Sequence, residues 1–314
     1  MAFVMRACLQ AAALMAGMAI GSTSMASGKR ASVPEIRTED VQRFYRVYAQ
    51  ANGHPAAIDL DSQYLAPGTR GLMDFVKARH ITGAGIAAAI EKKPEIFAGA
   101  RSCAATLPIV RQRLAIALQK LGELYQASSF PPVTIVIGEG RTGGTTSNAG
   151  VLMGLETLCG SAMLGADKTS GFVRLIAHEY IHVQQPLAQQ DIPHINLLTA
   201  ALVEGGAEFL GERISGGVGN AQLSIWTKGR EREIEEQFVK DQDETDLKKW
   251  LWNGPGTPDR PGDLGYWVGY RIVRAYYERA QDKRAAIRDI ILMKDPKAFL
   301  HDSGWNPGMR LSRS

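Results

Sequence analysis

His178 and His182 stand four residues apart, with Glu179 beside the first, in the segment His178-Glu179-Tyr180-Ile181-His182. On a helix this spacing puts both imidazoles on one face, one turn apart. Two nitrogens so placed can hold one zinc ion at about 2.0–2.1 Å each. Glu179 can then reach the open side of the ion and take a proton from water whose pKa the metal lowers toward 7. The neighbours Phe172, Val173, Leu175, Ile176, Ala177, Ile181 and Val183 are apolar, so the polar trio belongs to a helix built for burial. Buried polar groups need partners. The chemistry indicated is metal-assisted hydrolysis. Chance alone produces this five-residue pattern in roughly one chain of this size per hundred, so corroborating residues decide.

Zinc hydrolases commonly use three protein ligands and keep a fourth position open. Glu204 lies 22 residues after His182, and Glu208 follows one helical turn later, in Val203-Glu204-Gly205-Gly206-Ala207-Glu208-Phe209. Their neighbours are mostly apolar, which argues against a plain solvated charge face. Glu204 is the expected third ligand. Glu208 is expected to orient a liganding histidine, as outer partners do at such sites, and the two roles could be exchanged. His194 is another candidate ligand, but Gln185 and Ala188 stand where the longer metzincin-type motif needs Gly and His. Tyr266 and Tyr270 also share a helix face. A phenol near the metal could donate to a developing oxyanion, although aromatic stripes at this spacing more often serve packing. His54, His80 and His301 are isolated.

These residues need elements to position them. The pattern from about Glu39 to Leu124 is helical, opening at Thr38-Glu39-Asp40-Val41 and continuing through Leu72 to Ala78, Ala84 to Lys92 and Ile109 to Leu124. Val133 to Gly138 is a β-branched run that reads as a strand. Glu139 to Asn148, rich in Gly and Thr, reads as a loop and lacks the ending of a phosphate-binding loop. Gly150 to Leu155 is a second strand. The motif helix is expected over Ser170 to Gln184, stopped by Pro186, and the glutamate helix over Asn196 to Ile214, stopped by Gly216-Gly217. Helices are also expected over Lys228 to Lys240, Thr245 to Trp252, Leu264 to Ala280 and Lys283 to Met293, with a Pro/Gly loop from Asn253 to Asp263. The order of helices, small sheet and helices predicts an α+β fold. Its expected parts are a helical stretch over 41–130, a metal-bearing core over 131–220 and a helical stretch over 221–314.

The N-terminus reads as a secretory signal over residues 1–26. Arg6 precedes an apolar stretch from about Ala7 to Ile20, and Ser24-Met25-Ala26 fits the small-x-small cleavage rule. The run is short for a membrane span, so no stable anchor is expected after cleavage. Residues 27–40 read as a flexible lead-in. Export to the periplasm or beyond would permit a bridge between Cys103 and Cys159, and two buried thiols fit equally well. The net charge of +4 over 314 residues, with no dense basic run, gives nucleic-acid binding no support.

The two motifs together resemble the gluzincin metallopeptidases, in particular aminopeptidase-N-like enzymes, whose second helix supplies a Glu-Gly pair. Their downstream Tyr-x-x-Gly is matched by Tyr266-Trp267-Val268-Gly269, which implies a transition-state role for Tyr266, with Tyr270 second. A closer likeness, from about Asp61 to Ala280, is to bacterial predicted zinc-dependent proteases. It is carried by Ile135-Val136-Ile137-Gly138, Gly143-Gly144-Thr145, Gly150 to Glu156, the metal motifs and Gly265-Tyr266 through Val273. The resemblance implies a zincin-like core with a small mixed sheet and an active-site helix. It also implies an edge strand that pairs with an extended peptide, for which Gly150, Val151, Leu152 and Met153 are the candidates. Glu156 falls near the amine-binding glutamate of aminopeptidases, but the rest of their Gly-Ala-Met-Glu-Asn signature is missing.

The expectation is an exported metallopeptidase with one zinc ion, acting on peptides or proteins, with Glu179 as general base. The rivals are an exported peptide-binding or chaperone-like protein with structural zinc, and a zinc hydrolase of a non-peptide amide or ester.

Overall fold

The computed structural model describes residues 35–312, except 127, 161–163, 191, 218, 220, 255 and 258. The expected signal segment lies outside the described residues. Ala31–Ser314 form one compact unit. Its elements begin with strand β1 (Ile36–Arg37) and helices α1 (Glu39–Gln50), α2 (Ala57–Asp59), α3 (Arg70–Arg79), α4 (Gly83–Lys92), α5 (Pro94–Cys103) and α6 (Leu107–Leu124). Strands β2 (Val133–Val136), β3 (Gly144–Ser147) and β4 (Gly150–Gly154) follow. The remainder is helical: α7 (Leu155–Gly160), α8 (Lys168–Gln184), α9 (Leu197–Ser215), α10 (Ala221–Trp226), α11 (Glu231–Asp241), α12 (Leu264–Arg279), α13 (Lys283–Ile291) and α14 (Pro296–Ser303). The class is α+β with a small mixed sheet. No helix among the described residues is long and apolar enough to cross a membrane.

The four strands run in the order β1-β2-β4-β3. β2 pairs in parallel with both β1 and β4, and β3 pairs antiparallel with β4. β2 and β4 are buried along their whole lengths, as strands covered on both faces must be, and their near-continuous apolar sequences reflect it. The two faces are covered by different helices. Successive residues on a strand point to opposite faces. On β3, a Cβ at Gly144 would meet Glu179 on α8, whereas Thr145 accepts a hydrogen bond from Arg79 on α3 at 2.8 Å.

Several sequence expectations are corrected. β3 forms inside the Gly/Thr segment read as a loop, and Ile36–Arg37, within the supposed lead-in, is a sheet strand. Gly150 to Met153 are not at an edge. β4 is hydrogen-bonded on both sides, so its main chain has no spare partners for a substrate, and the edge beside α8 is β3. Thr245 to Trp252 is not a helix. Only the 3-10 turn Leu247–Lys249 forms, capped by the Asp246 side chain, because the chain turns left-handed at Trp252 (φ 54°) and enters the Pro/Gly loop. Leu247, Trp250 and Leu251 are all buried, and their i, i+3, i+4 spacing imitates a helix face.

The helices that carry the site have identifiable starts and stops. The Asp167 side chain accepts from the backbone N–H groups of Thr169 and Ser170 and caps α8. Asn196 caps α9 by accepting from Thr199 N, and Gly216, at φ 74°, ends it. α9 is buried along nearly its whole length, between α8 and α12. Its contact with α12 is made through two glycines. A Cβ on Gly205 would collide with the backbone of Gly269 and Tyr270, and one on Gly269 with the carbonyl of Ala201. Cys103 on α5 and Cys159 on α7 form a disulfide spanning 56 residues. Closing a loop of that length removes roughly 4 kcal/mol of unfolded-state freedom in the chain-entropy model.

Candidate metal centre

α8 presents His178 and His182 toward α9, and α9 presents Glu204 toward them. Three donor atoms converge. His182 Nε2 lies 3.0 Å from His178 Nε2 and 3.1 Å from Glu204 Oε2, and His178 Nε2 lies 3.3 Å from the same oxygen. All three residues are buried. Two imidazoles and a carboxylate gathered this closely between two helices form a donor set suited to a metal ion. The spacing also fits. Bonds of about 2.0–2.1 Å at tetrahedral angles put neighbouring zinc ligands about 3.4 Å apart. His178, His182 and Glu204 are the residues that would hold a metal. Among the described residues no fourth His, Cys, Asp or Glu joins the group, and the disulfide occupies Cys103 and Cys159.

The far nitrogens of the two histidines face different side chains. Gln185 Oε1 is 2.8 Å from His182 Nδ1, while the Gln185 amide nitrogen donates to the carbonyl of Val203 at 3.0 Å. That second bond fixes the amide orientation, so the oxygen must accept from His182 Nδ1–H. In the neutral imidazole, the form that binds a metal, this leaves the Nε2 lone pair facing the cluster. Beside His178, Glu208 Oε1 lies 3.5 Å from Nδ1, at ion-pair distance without a hydrogen bond, and among the described residues that buried nitrogen has no hydrogen-bond partner. Gln185 was not expected as a site residue. Its signal is its place three residues after His182, just past the last turn of α8.

The electrostatics are those of a closely coupled set. Burial alone would lower the His182 pKa, but the Glu204 carboxylate, with Glu179 and Gln185, outweighs it and pushes it up to about 9. Burial would raise Glu204, but His182 and His178 hold it well below the usual carboxylate range. Glu179 is raised by burial, with His182 and His178 opposing. Its carboxylate lies between the cluster and the sheet edge: a Cβ on Gly144 would fall 2.5 Å from Glu179 Oε1. The bare backbone at Gly144 gives this carboxylate room.

Tyr266, on the first turn of α12, stacks its ring over His178 with centroids 6.2 Å apart. Burial, reinforced by Glu204 and Asp263, pushes its phenol well up, so it stays protonated and able to donate. Tyr270 does not join the cluster. One turn further along α12 it packs on Phe209, with centroids 5.7 Å apart, and its hydroxyl is held by Glu212 and Arg274. Contrary to the sequence expectation, its hydroxyl is engaged away from the cluster. Glu156 is fully buried and accepts from the backbone of Gly140 at 3.0 Å. It braces the turn after β2 and cannot meet a substrate amine.

A further residue that the sequence did not suggest touches the centre. The indole N–H of Trp252 donates to Glu204 Oε1, the oxygen outside the cluster, at 3.3 Å. Trp252 and Gln185 thus both contact the candidate ligands.

Residues 112–294, more than half the chain, match the model of the family described as Predicted Zn-dependent protease (DUF2268). The match runs from within α6 to just beyond α13 and contains the whole cluster, but the stretch from Asp61 to residue 111 lies outside it. No curated protein and no solved structure matches the chain. A buried His-His-Glu group within the matched region is compatible with zinc, and the chain belongs to this family of predicted zinc-dependent proteases.

Proposed function

We propose that the chain hydrolyses peptide bonds with one zinc ion held by His178, His182 and Glu204, in the gluzincin manner. The observation that carries this reading is the triangle of donor atoms 3.0 to 3.3 Å apart, buried between α8 and α9. Zinc, when bound, supplies Lewis acidity that polarises a carbonyl and lowers the pKa of water toward 7.

The chain's own groups divide the remaining work. Glu179, held against Gly144 of β3, takes the proton of the attacking water and passes it to the leaving amine. Tyr266 donates its hydroxyl proton into a hydrogen bond with the carbonyl oxygen as negative charge develops there. Gln185 holds the His182 imidazole in the orientation that turns Nε2 inward, and the Glu208 carboxylate faces the far nitrogen of His178. β3, the sheet edge beside Glu179, offers its main chain to an extended peptide. An apolar leader over residues 7–20 and a disulfide both support an exported chain, periplasmic or secreted.

A structural metal role is disfavoured by the donor count. A structural zinc site is usually closed by a fourth protein ligand, and here a carboxylate suited to proton transfer stands at the open side instead. The test is elemental analysis of the purified protein together with cleavage of a peptide library before and after chelation. One zinc per chain, with cleavage lost on chelation and restored by zinc, is expected. Cleavage that survives complete removal of zinc contradicts the proposal.

A further inference from the structure

Trp250 and Trp252 are two residues apart and meet opposite fates. Trp250 is 1% exposed, and its indole donates to Asp241 at 2.8 Å while Arg260 covers its ring. Trp252 is 59% exposed, yet its indole N–H reaches the buried Glu204 at 3.3 Å. Its backbone is left-handed, with φ 54°, a conformation that bulky side chains avoid. An exposed indole forgoes a large apolar burial, and the backbone adds strain at the same residue. Two costs at one side chain that touches a metal-ligand candidate point from an outlier to a function.

The surrounding loop fixes Trp252 in this place. Asn253 N donates to Asp263 Oδ1 at 3.3 Å, and Asp263 N donates to Asn253 Oδ1 at 2.7 Å, closing the neck of the loop. Asp263 is also left-handed, at φ 61°, and its carbonyl accepts from Tyr266 N at 3.0 Å. One clamp therefore sets both the tryptophan and the first turn of the helix carrying Tyr266. The N–H of Trp252 occupies Glu204 Oε1 and leaves Oε2 to the cluster, while most of the ring remains open to solvent. A ring within hydrogen-bond reach of Glu204 also lies within reach of groups flanking a carbonyl held at the cluster.

We infer that Trp252 has two roles: its N–H positions Glu204 as a one-oxygen ligand, and its exposed face receives the large apolar or aromatic side chain next to the scissile bond. The second role rests on the peptidase reading above; the first does not. The substrates are then peptides with Phe, Tyr, Leu or Met beside the cleaved bond, favoured about tenfold or more over those with Ser or Gly there.

The test compares the full chain with Trp252→Phe and Trp252→Ala, each checked for fold by circular dichroism. Zinc affinity is read by competition with a fluorescent chelator, and cleavage sites in a degenerate peptide library are read by mass spectrometry. Both variants are expected to bind zinc about ten- to a hundredfold more weakly, because both lose the N–H. Trp252→Phe is expected to keep the apolar preference and Trp252→Ala to lose it. Wild-type zinc affinity in Trp252→Phe overturns the positioning role. An unchanged preference in Trp252→Ala, or a wild-type preference for basic or small residues, overturns the substrate role. If the wild type binds zinc and cleaves no peptide, the peptidase reading fails and the substrate role with it. The zinc affinities of the variants still judge the Trp252–Glu204 contact.

Discussion

The floor and the rim of the candidate metal centre are built on different principles. The floor is the α8–α9–α12 stack, in which α9 and α12 approach through Gly205 and Gly269 and the far nitrogens of the two histidines face Gln185 and Glu208. The rim is β3, a four-residue edge strand, and the neck of the loop at Trp252 and Asp263, both left-handed non-glycine residues. Regular helices hold ligands at fixed separations because their spacing is set by packing, whereas a short edge and a clamped loop can present groups to a substrate. The floor should therefore govern metal affinity and stability, and the rim should govern turnover and selection.

The largest expected effect breaks the floor itself. Replacing His182 with Ala removes one corner of the triangle and leaves Glu204 without its main counter-charge; zinc content should fall to background and hydrolysis with it, measured by elemental analysis and peptide turnover. Next, the two tyrosines of α12 should separate sharply. Tyr266→Phe should lower kcat by about 10²–10³, the usual cost of losing one oxyanion donor. Tyr270→Phe should leave kcat within about twofold, because its hydroxyl is spent on Glu212 and Arg274. Equal losses in the two variants would contradict the placement of the site.

Two glycine substitutions sharpen the contrast further. Gly205→Ala drives a methyl group into the backbone of α12, and overpacking of this kind costs about 1–3 kcal/mol, read as a fall in Tm. Gly144→Ala on the rim pushes on the Glu179 side chain, nearest at Oε1. It should leave Tm nearly unchanged and lower turnover. The smallest effect concerns the partners of the histidines. Gln185→Ala and Glu208→Ala should each weaken zinc binding within the ten- to hundredfold range of outer-partner losses. The loss should be larger for Gln185, which is hydrogen-bonded to His182 Nδ1 at 2.8 Å, whereas Glu208 stands 3.5 Å from His178 Nδ1 without a hydrogen bond. Chelator competition on the two purified variants decides the order.

The floor was legible in the sequence because helical periodicity is local. His178 and His182 at i, i+4, and Glu204 and Glu208 at i, i+4 among apolar neighbours, identify two faces that must be buried together. The same rule misled at Tyr270. Sharing a face with Tyr266 does not mean sharing a site, because one turn of α12 advances about 5.4 Å and delivers the second phenol to Glu212. The rim was not legible because long-range pairing and loop geometry build it. Gly144-Thr145-Thr146-Ser147 has no apolar alternation and becomes a strand only through its antiparallel pairing with β4. The strand order that puts β4 inside and β3 outside is likewise absent from local pattern. Trp252 could not be found by spacing, since its contact with Glu204 depends on a left-handed residue and a clamp between Asn253 and Asp263.

The central claim is that Glu179 moves the proton while the ligands on the floor hold zinc independently of it. Steady-state peptide hydrolysis by wild type and Glu179→Gln, at matched zinc content, tests this most directly. The account predicts equal zinc and a fall in kcat of about 10²–10⁴, the range for loss of a general base. Wild-type turnover in Glu179→Gln with zinc bound would contradict it.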